Sequence, residues 1–174
     1  MLIRPARDVS NFNASEASSF LPPGFTNFAA KLSDGASGEI ITAWKDADVR
    51  HVRDVELGHS LTSFFEFAAD GLAFAVTNVY APCTPPERGS FLDELRSLAP
   101  SCDLPWMLVG DFNLVRGPED KNTASFDASA ADAFNSFIDD LVLQELPLLD
   151  RMYTWSNNRT VPTLVRLDRA LINP

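Results

Sequence analysis

The chain has 174 residues, 45% of them hydrophobic, which is enough apolar material for one sizeable core and one domain. Its 24 acidic against 14 basic residues give a formal charge of −10, opposite to the basic footprint of tight nucleic-acid binding, although a cation site needs carboxylates and a local basic patch can sit inside an acidic total. No run approaches the roughly 18 apolar residues of a membrane span, the start MLIRPARDVSNFN lacks a signal-peptide core, and Cys83 and Cys102 lack metal-ligand spacing; an intracellular protein, nuclear or cytoplasmic, without membrane contact is expected.

The first 36 residues carry Pro5, the Pro22-Pro23-Gly24 break and several Ser and Asn residues without a sustained period. They are expected to be poorly structured or loosely attached, with order beginning near residue 37. A strand is predicted over Glu39 to Trp44, then a charged turn region containing Asp46, Asp48, Arg50 and Arg53. His51 and His59 fall in this inter-strand region and are read as surface or partly buried side chains. Two apolar runs, Leu61 to Ala68 and Leu72 to Tyr80, flank Ala69-Asp70-Gly71, whose Asp-Gly pair signals a hairpin turn.

Phe91, Leu92, Leu95 and Leu98 stand at helical spacing within Pro85 to Pro100, with Ser90 as the expected N-cap. The run Leu104 to Val109 ends abruptly at Gly110-Asp111-Phe112-Asn113, the pattern of a buried strand that delivers polar residues to its C-terminal edge. Phe134, Phe137, Ile138 and Leu141 follow i, i+3, i+4 and i+7, predicting a helix between Ser129 and Leu143 capped by Asp127 or Ser129. The last third reads as Tyr153-Thr154-Trp155-Ser156, a polar turn at Asn157-Asn158-Arg159, and a strand-like Thr163 to Ile172. Trp106 and Trp155 are expected to pack in the core or at a sheet edge. Without internal repeats, this mixture implies an α/β domain.

Four segments, in this order along the chain, carry a resemblance: Thr77-Asn78-Val79-Tyr80-Ala81-Pro82, Val109-Gly110-Asp111-Phe112-Asn113, Tyr153-Thr154-Trp155-Ser156-Asn157 and Arg166-Leu167-Asp168-Arg169. Together they resemble the endonuclease/exonuclease/phosphatase superfamily, and more narrowly the endonuclease domain of plant LINE-type retrotransposons. Pro105-Trp106, Asp120-Lys121-Asn122, Phe134 to Ile138, Glu145 to Leu148 and Pro162-Thr163-Leu164 extend the likeness, which covers roughly residues 20 to 174. The resemblance implies a DNase I-like four-layer sandwich, that is, a two-sheet β-sandwich flanked by helices, with the catalytic groups at one edge of the sheets. It implies a Mg²⁺-dependent phosphodiester hydrolase acting on DNA, a partner that the acidic composition disfavours.

On that reading Asp111 is the base or the group orienting the attacking water. Asn113 would share its strand face if the backbone stays extended, and would donate to a nonbridging phosphate oxygen. Tyr80 would present its hydroxyl to the phosphate, and Asp168 would hold the family's catalytic histidine in orientation. Each residue also has a plainer reading: Asp111 and Asn113 as turn caps, Tyr80 as a strand-end aromatic, Asp168 as a surface ion-pair member. Asp120 and Lys121 are read as a solvated loop pair. The family's Gln-Glu-Thr segment, whose glutamate binds the metal, and its Ser-Asp-His segment have no counterpart here. Glu16 is the nearest residue by position to the metal ligand, but its neighbours do not match. The expectation is a domain incomplete at both ends, with weak or no activity, poor solubility, or a role as a noncatalytic remnant or binding module; a phosphatase of small or lipid phosphates shares the site.

Overall fold

The computed structural model describes residues 21, 23–25, 27–32, 39–101 and 103–173. Among the described residues ten strands and two α-helices follow one another as β1 (Asn27–Lys31), β2 (Ile40–Trp44), β3 (Val49–Glu56), β4 (Ser60–Phe67), β5 (Ala73–Tyr80), α1 (Pro85–Leu98), β6 (Trp106–Asp111), α2 (Ala128–Asp140), β7 (Gln144–Glu145), β8 (Trp155–Ser156), β9 (Leu164–Val165) and β10 (Asp168–Ile172). Six strands form the main sheet in the order β3-β4-β5-β6-β10-β7. β5 and β6 are parallel, joined by α1, while the other pairings are antiparallel. The α/β architecture expected from the sequence is present.

Period-2 alternation sends one set of side chains to each face of the sheet. Ala75 and Val79 of β5, Trp106 and Leu108 of β6, and Leu171 of β10 pack with Phe91, Leu92, Leu95 and Leu98 of α1 and Phe134, Phe137 and Ile138 of α2 in one core. A buried polar chain crosses this core: Trp106 Nε1 donates to Thr77 Oγ1 (2.8 Å), which also bonds Thr62 Oγ1 (2.8 Å). Satisfying each buried hydroxyl in this way avoids the desolvation cost of an orphaned group. The opposite face is covered by the β1–β2 pair, which packs on β4 and β5. Asn78 fastens the two layers by donating from Nδ2 to Ile41 O (2.9 Å).

The Asp70-Gly71 hairpin forms as predicted. Gly71 takes φ +74°, and Asp70 Oδ1 accepts the Leu72 N–H (3.0 Å). α2 is capped by Asp127, which accepts the Ala130 N–H (3.0 Å), resolving the choice between Asp127 and Ser129.

Several expectations need correction. Ser90 lies inside α1, which starts earlier because Pro85 and Pro86 suit the first helical positions, with Thr84 at the N-cap. Asn27–Lys31 is a strand ahead of residue 37, since β2 supplies the ladder that so short a segment cannot hold alone. Arg50, His51 and Arg53 belong to strand β3, not to a turn. Its charged, mostly exposed residues are those of an edge strand whose polar side faces water. His59 does sit in the turn between β3 and β4. The strand-like Thr163 to Ile172 is broken at Arg166-Leu167 into β9 and β10. Of the two tryptophans expected in the core or at a sheet edge, Trp106 is buried and Trp155 lies on the two-residue edge strand β8, where it is 46% exposed.

Candidate active site

Parallel strands β5 and β6 end side by side, and β10 begins beside the end of β6. The register places Tyr80 opposite Asp111 and Asp111 opposite Asp168. Residues directly opposed across neighbouring strands share a face and stand roughly 5 Å apart at Cα. Tyr80, Asp111 and Asp168 therefore form one rung at the sheet edge, on the face away from the helices. Three residues separated by long stretches of chain are brought together by pairing alone.

The strand ends are laced by backbone hydrogen bonds. Tyr80 N donates to His59 O (3.0 Å), Ala81 N to Asp111 O (2.8 Å) and Phe112 N to Leu167 O (3.0 Å). Gly110 makes the close approach of β6 to β5 possible: its φ is +136°, and a Cβ there would lie 2.1 Å from Val79 O. Phe112 is fully buried, with its ring against Phe91 and Phe134, so it anchors the turn in the helix-side core while Asp111 and Asn113 stay at the edge.

Asn113 reaches the site differently from the extended arrangement anticipated. β6 stops at Asp111, and Asn113 adopts the left-handed conformation at φ +47°, which asparagine tolerates better than most residues. Its N–H donates to Asp111 Oδ1 (2.9 Å) and its Nδ2 to Ala81 O (2.7 Å). An amide nitrogen has two hydrogens, so one remains for a ligand. The same contacts show that Asn113 shapes the turn that presents Asp111.

Thr154 is part of the site in a way that pattern reading left unassigned. Its hydroxyl accepts the N–H groups of both Leu167 and Asp168 (3.0 Å each), fixing the start of β10. The Tyr153-Thr154-Trp155-Ser156-Asn157 segment is thus physically tied to Arg166-Leu167-Asp168-Arg169. Asn157 Oδ1 closes the β8–β9 turn by accepting Thr163 N (3.0 Å), and Asn122 grips β9 through Leu164 N (2.8 Å) and Pro162 O (2.9 Å).

Burial is the largest influence on Asp111. The Asn113 N–H pulls the other way and the Asp168 charge adds to burial, leaving the carboxyl pushed up to about 6 from 3.8. Burial, then Cys83 and Asp111, raise the Tyr80 phenol above its ordinary value, so it remains a proton donor at neutral pH. Among the described residues no set of three or more His, Cys, Asp or Glu side chains is placed to hold a metal ion. Glu16, the sequence candidate for that role, lies outside the described residues.

The loop pair Asp120-Lys121 is not uniformly solvated. Lys121 is the more exposed and donates to Ser125 O (2.7 Å), but Asp120 is buried, pairs with Arg169, and accepts the Arg116 N–H (2.7 Å). A buried carboxylate needs such partners to remain charged. Its Arg169 partner is 49 positions away in the chain, so sequence proximity gave no sign of it.

The sequence matches no protein-family model and no curated protein. Solved structures do match. The endonuclease domain of TRAS1, a telomere-specific non-LTR retrotransposon, superposes with a TM-score of 0.66 at 14% identity, covering 84% of this chain and 66% of that one. An endonuclease/exonuclease/phosphatase family protein from Bacteroides thetaiotaomicron gives 0.60 at 17% identity, covering 87% and 62%. This chain has the endonuclease/exonuclease/phosphatase fold. A mannosyl-6-phosphatase from Bacteroides thetaiotaomicron VPI-5482 shares that fold at a TM-score of 0.53 and 18% identity, covering 87% and 64%. The chain thus spans less than two thirds of the length of these solved chains. No helix among the described residues is long and apolar enough to cross a membrane.

Proposed function

We propose that the rung Tyr80–Asp111–Asp168 belongs to a phosphodiester-hydrolase site of nuclease type, of plant LINE-type retroelement origin, with DNA as its ancestral substrate. The observation that carries this reading is the desolvated Asp111, with a pKa near 6, set between a phenol donor and a second carboxylate. A base poised near operating pH takes a proton from water most effectively. Tyr80, still protonated, would donate to a nonbridging phosphate oxygen, and the second amide hydrogen of Asn113 would serve another. Asp168, held by Thr154, would orient a neighbouring proton carrier or a cation.

Two adjacent carboxylates whose charges oppose each other fit a hard divalent cation, because Mg²⁺ takes one or two carboxylates and fills its shell with water and substrate oxygens. Asp111 and Asp168 are the residues that would hold it, and when bound it would neutralise phosphate charge. The sequence has no counterpart of Gln-Glu-Thr or Ser-Asp-His, so cleavage by this chain alone is expected to be weak or absent: loss of a single such group commonly costs about a hundredfold or more.

Two measurements test the reading. Mg²⁺ or Mn²⁺ added to the labelled chain should perturb the carboxylate signals of Asp111 and Asp168 together, and Asp111→Asn should abolish the effect; cation addition that leaves both untouched overturns the hydrolase site. Supercoiled plasmid with Mg²⁺ should show little nicking above an EDTA control. Robust nicking that Asp111→Ala abolishes would keep the site but overturn the reduced activity. The acidic charge of the chain does not oppose a second and weaker reading, a phosphatase of small phosphates, for which a soluble phosphomonoester would be turned over where plasmid is not.

A further inference from the structure

Directly behind the rung, on the helix side of the sheet, lies a separate cluster. Arg169 follows Asp168 in β10 and so points to the opposite face. Its side chain is 1% exposed and lies between Asp120 and Glu145, donating to Glu145 Oε1 (2.7 Å). Arg116 donates from Nη1 to Glu145 Oε2 (2.9 Å) and from Nε to Asn135 Oδ1 (2.8 Å), and Arg166 pairs with Glu145 Oε1. These side chains line an open cavity of about 460 Å³, a volume in the range of small-ligand clefts.

Three guanidinium groups facing two carboxylates leave one positive charge, 3 − 2 = +1, in the inner cluster of a chain whose total is −10. Burial works to raise the Glu145 pKa, but the hydrogen bonds and charges of Arg116, Arg169 and Arg166 hold it below its ordinary value, so the carboxylate stays ionised and that +1 persists at neutral pH. Donors also outnumber acceptors. Arg169 Nε and Arg166 Nε are both buried with no hydrogen-bond partner, which is uncommon for charged groups. Arg116 and Arg166 keep side-chain exposures of 33% and 22%, so their remaining N–H groups can be reached from the cavity. Glu119 and Asp139 also line the cavity, at its exposed rim, and bring the full lining to 3 − 4 = −1, so the positive surplus is confined to the inner cluster.

We propose that this cavity binds a phosphate-class oxyanion, gripped by Arg116 and Arg166 above the buried Arg169. Guanidinium forks match the oxygens of such an anion in geometry as well as charge. A bound anion would cancel the surplus charge and supply acceptors that the protein itself lacks. The source of the phosphate is either a small phosphorylated molecule or the backbone of a nucleic-acid strand reaching round the sheet edge.

The test uses the full chain carrying Asp111→Asn, so that the rung neither cleaves nor confuses the signal. Inorganic phosphate should move the arginine side-chain N–H resonances of Arg116 and Arg166 saturably below about 50 mM. Arg166→Gln should weaken that response at least about tenfold, while Arg88→Gln, outside the cavity, should leave it unchanged. A short single-stranded oligonucleotide that competes with phosphate points to a strand; phosphate binding without such competition points to a small molecule. No saturable response in the chain with its arginines intact overturns the proposal, whether or not Arg166→Gln folds. A response of equal size in a folded Arg166→Gln variant overturns it as well.

Discussion

The two faces of the main sheet are built to different standards. On the helix side Phe91, Phe112, Phe134, Phe137, Leu108 and Leu171 are fully buried and interlocked. On the other side the β1–β2 pair covers β4 and β5, whereas Met107, Val109, Ala170 and Ile172 of β6 and β10 stay half-buried beside Asp111 and Asp168. A closed face holds the strands in place. An open face leaves their polar ends accessible to solvent and ligand, and functional groups are often carried by such less enclosed regions of a rigid scaffold.

If this contrast is right, matched truncations should separate the faces. Phe134→Ala should destabilise the chain by about 3–5 kcal/mol because it opens a cavity in a closed core. Val109→Ala should cost about 1 kcal/mol, since much of that side chain never leaves water. Urea unfolding of both variants measures the gap, and equal losses would erase the distinction. Gly110→Ala comes next, at about 3 kcal/mol, because the new Cβ meets Val79 O and φ is positive. It should also disturb Tyr80 and Asp111 signals while leaving those of α2 in place.

Asp111→Asn should move stability the other way at neutral pH. The folded-state carboxyl binds its proton more tightly than the unfolded one, so its contribution is present in full below pH 3.8 and is lost as pH rises through about 6. Asparagine keeps the acceptor for the Asn113 N–H without the buried charge. A gain of about 1–2 kcal/mol at pH 7.5, after allowing for solvent screening, should vanish near pH 3.5. Denaturation at the two pH values checks this, and a pH-independent difference would contradict the desolvated carboxyl. Thr154→Val has the smallest effect, about 1 kcal/mol, from leaving the Leu167 and Asp168 amides without their acceptor. Faster amide exchange confined to the start of β10 is its signature.

These variants fall on residues whose roles were unequally legible in the sequence. Phe134, Phe137 and Ile138 announce a buried helix stripe through their spacing, and Gly110-Asp111 announces a strand end. Asn113 was visible as a candidate, but its left-handed turn was not, because an extended strand was the default continuation. Thr154 looked like part of a motif without a job until its hydroxyl was seen to accept two amides. Asp120 looked solvated because a charged residue in a loop usually is. The approach of Arg169 from β10, together with the Arg116 N–H, offsets the cost of its burial. Ser90 misled for a local reason, since a serine before an apolar pair imitates a cap when the Pro85-Pro86 start is overlooked.

The sequence by itself determined the alternation of strands and helices, the hairpin at Asp70-Gly71, the apolar faces of both helices and the candidacy of Tyr80, Asp111, Asn113 and Asp168. These follow from periodicity, turn chemistry and residue type, all of which act over a few positions. Only the tertiary structure decided that Tyr80, Asp111 and Asp168 stand on one rung, that Asp111 is desolvated enough to hold its proton near pH 6, and that three arginines gather behind Asp168. Strand register and local dielectric depend on what lies opposite in space, and separation along the chain carries little information about either.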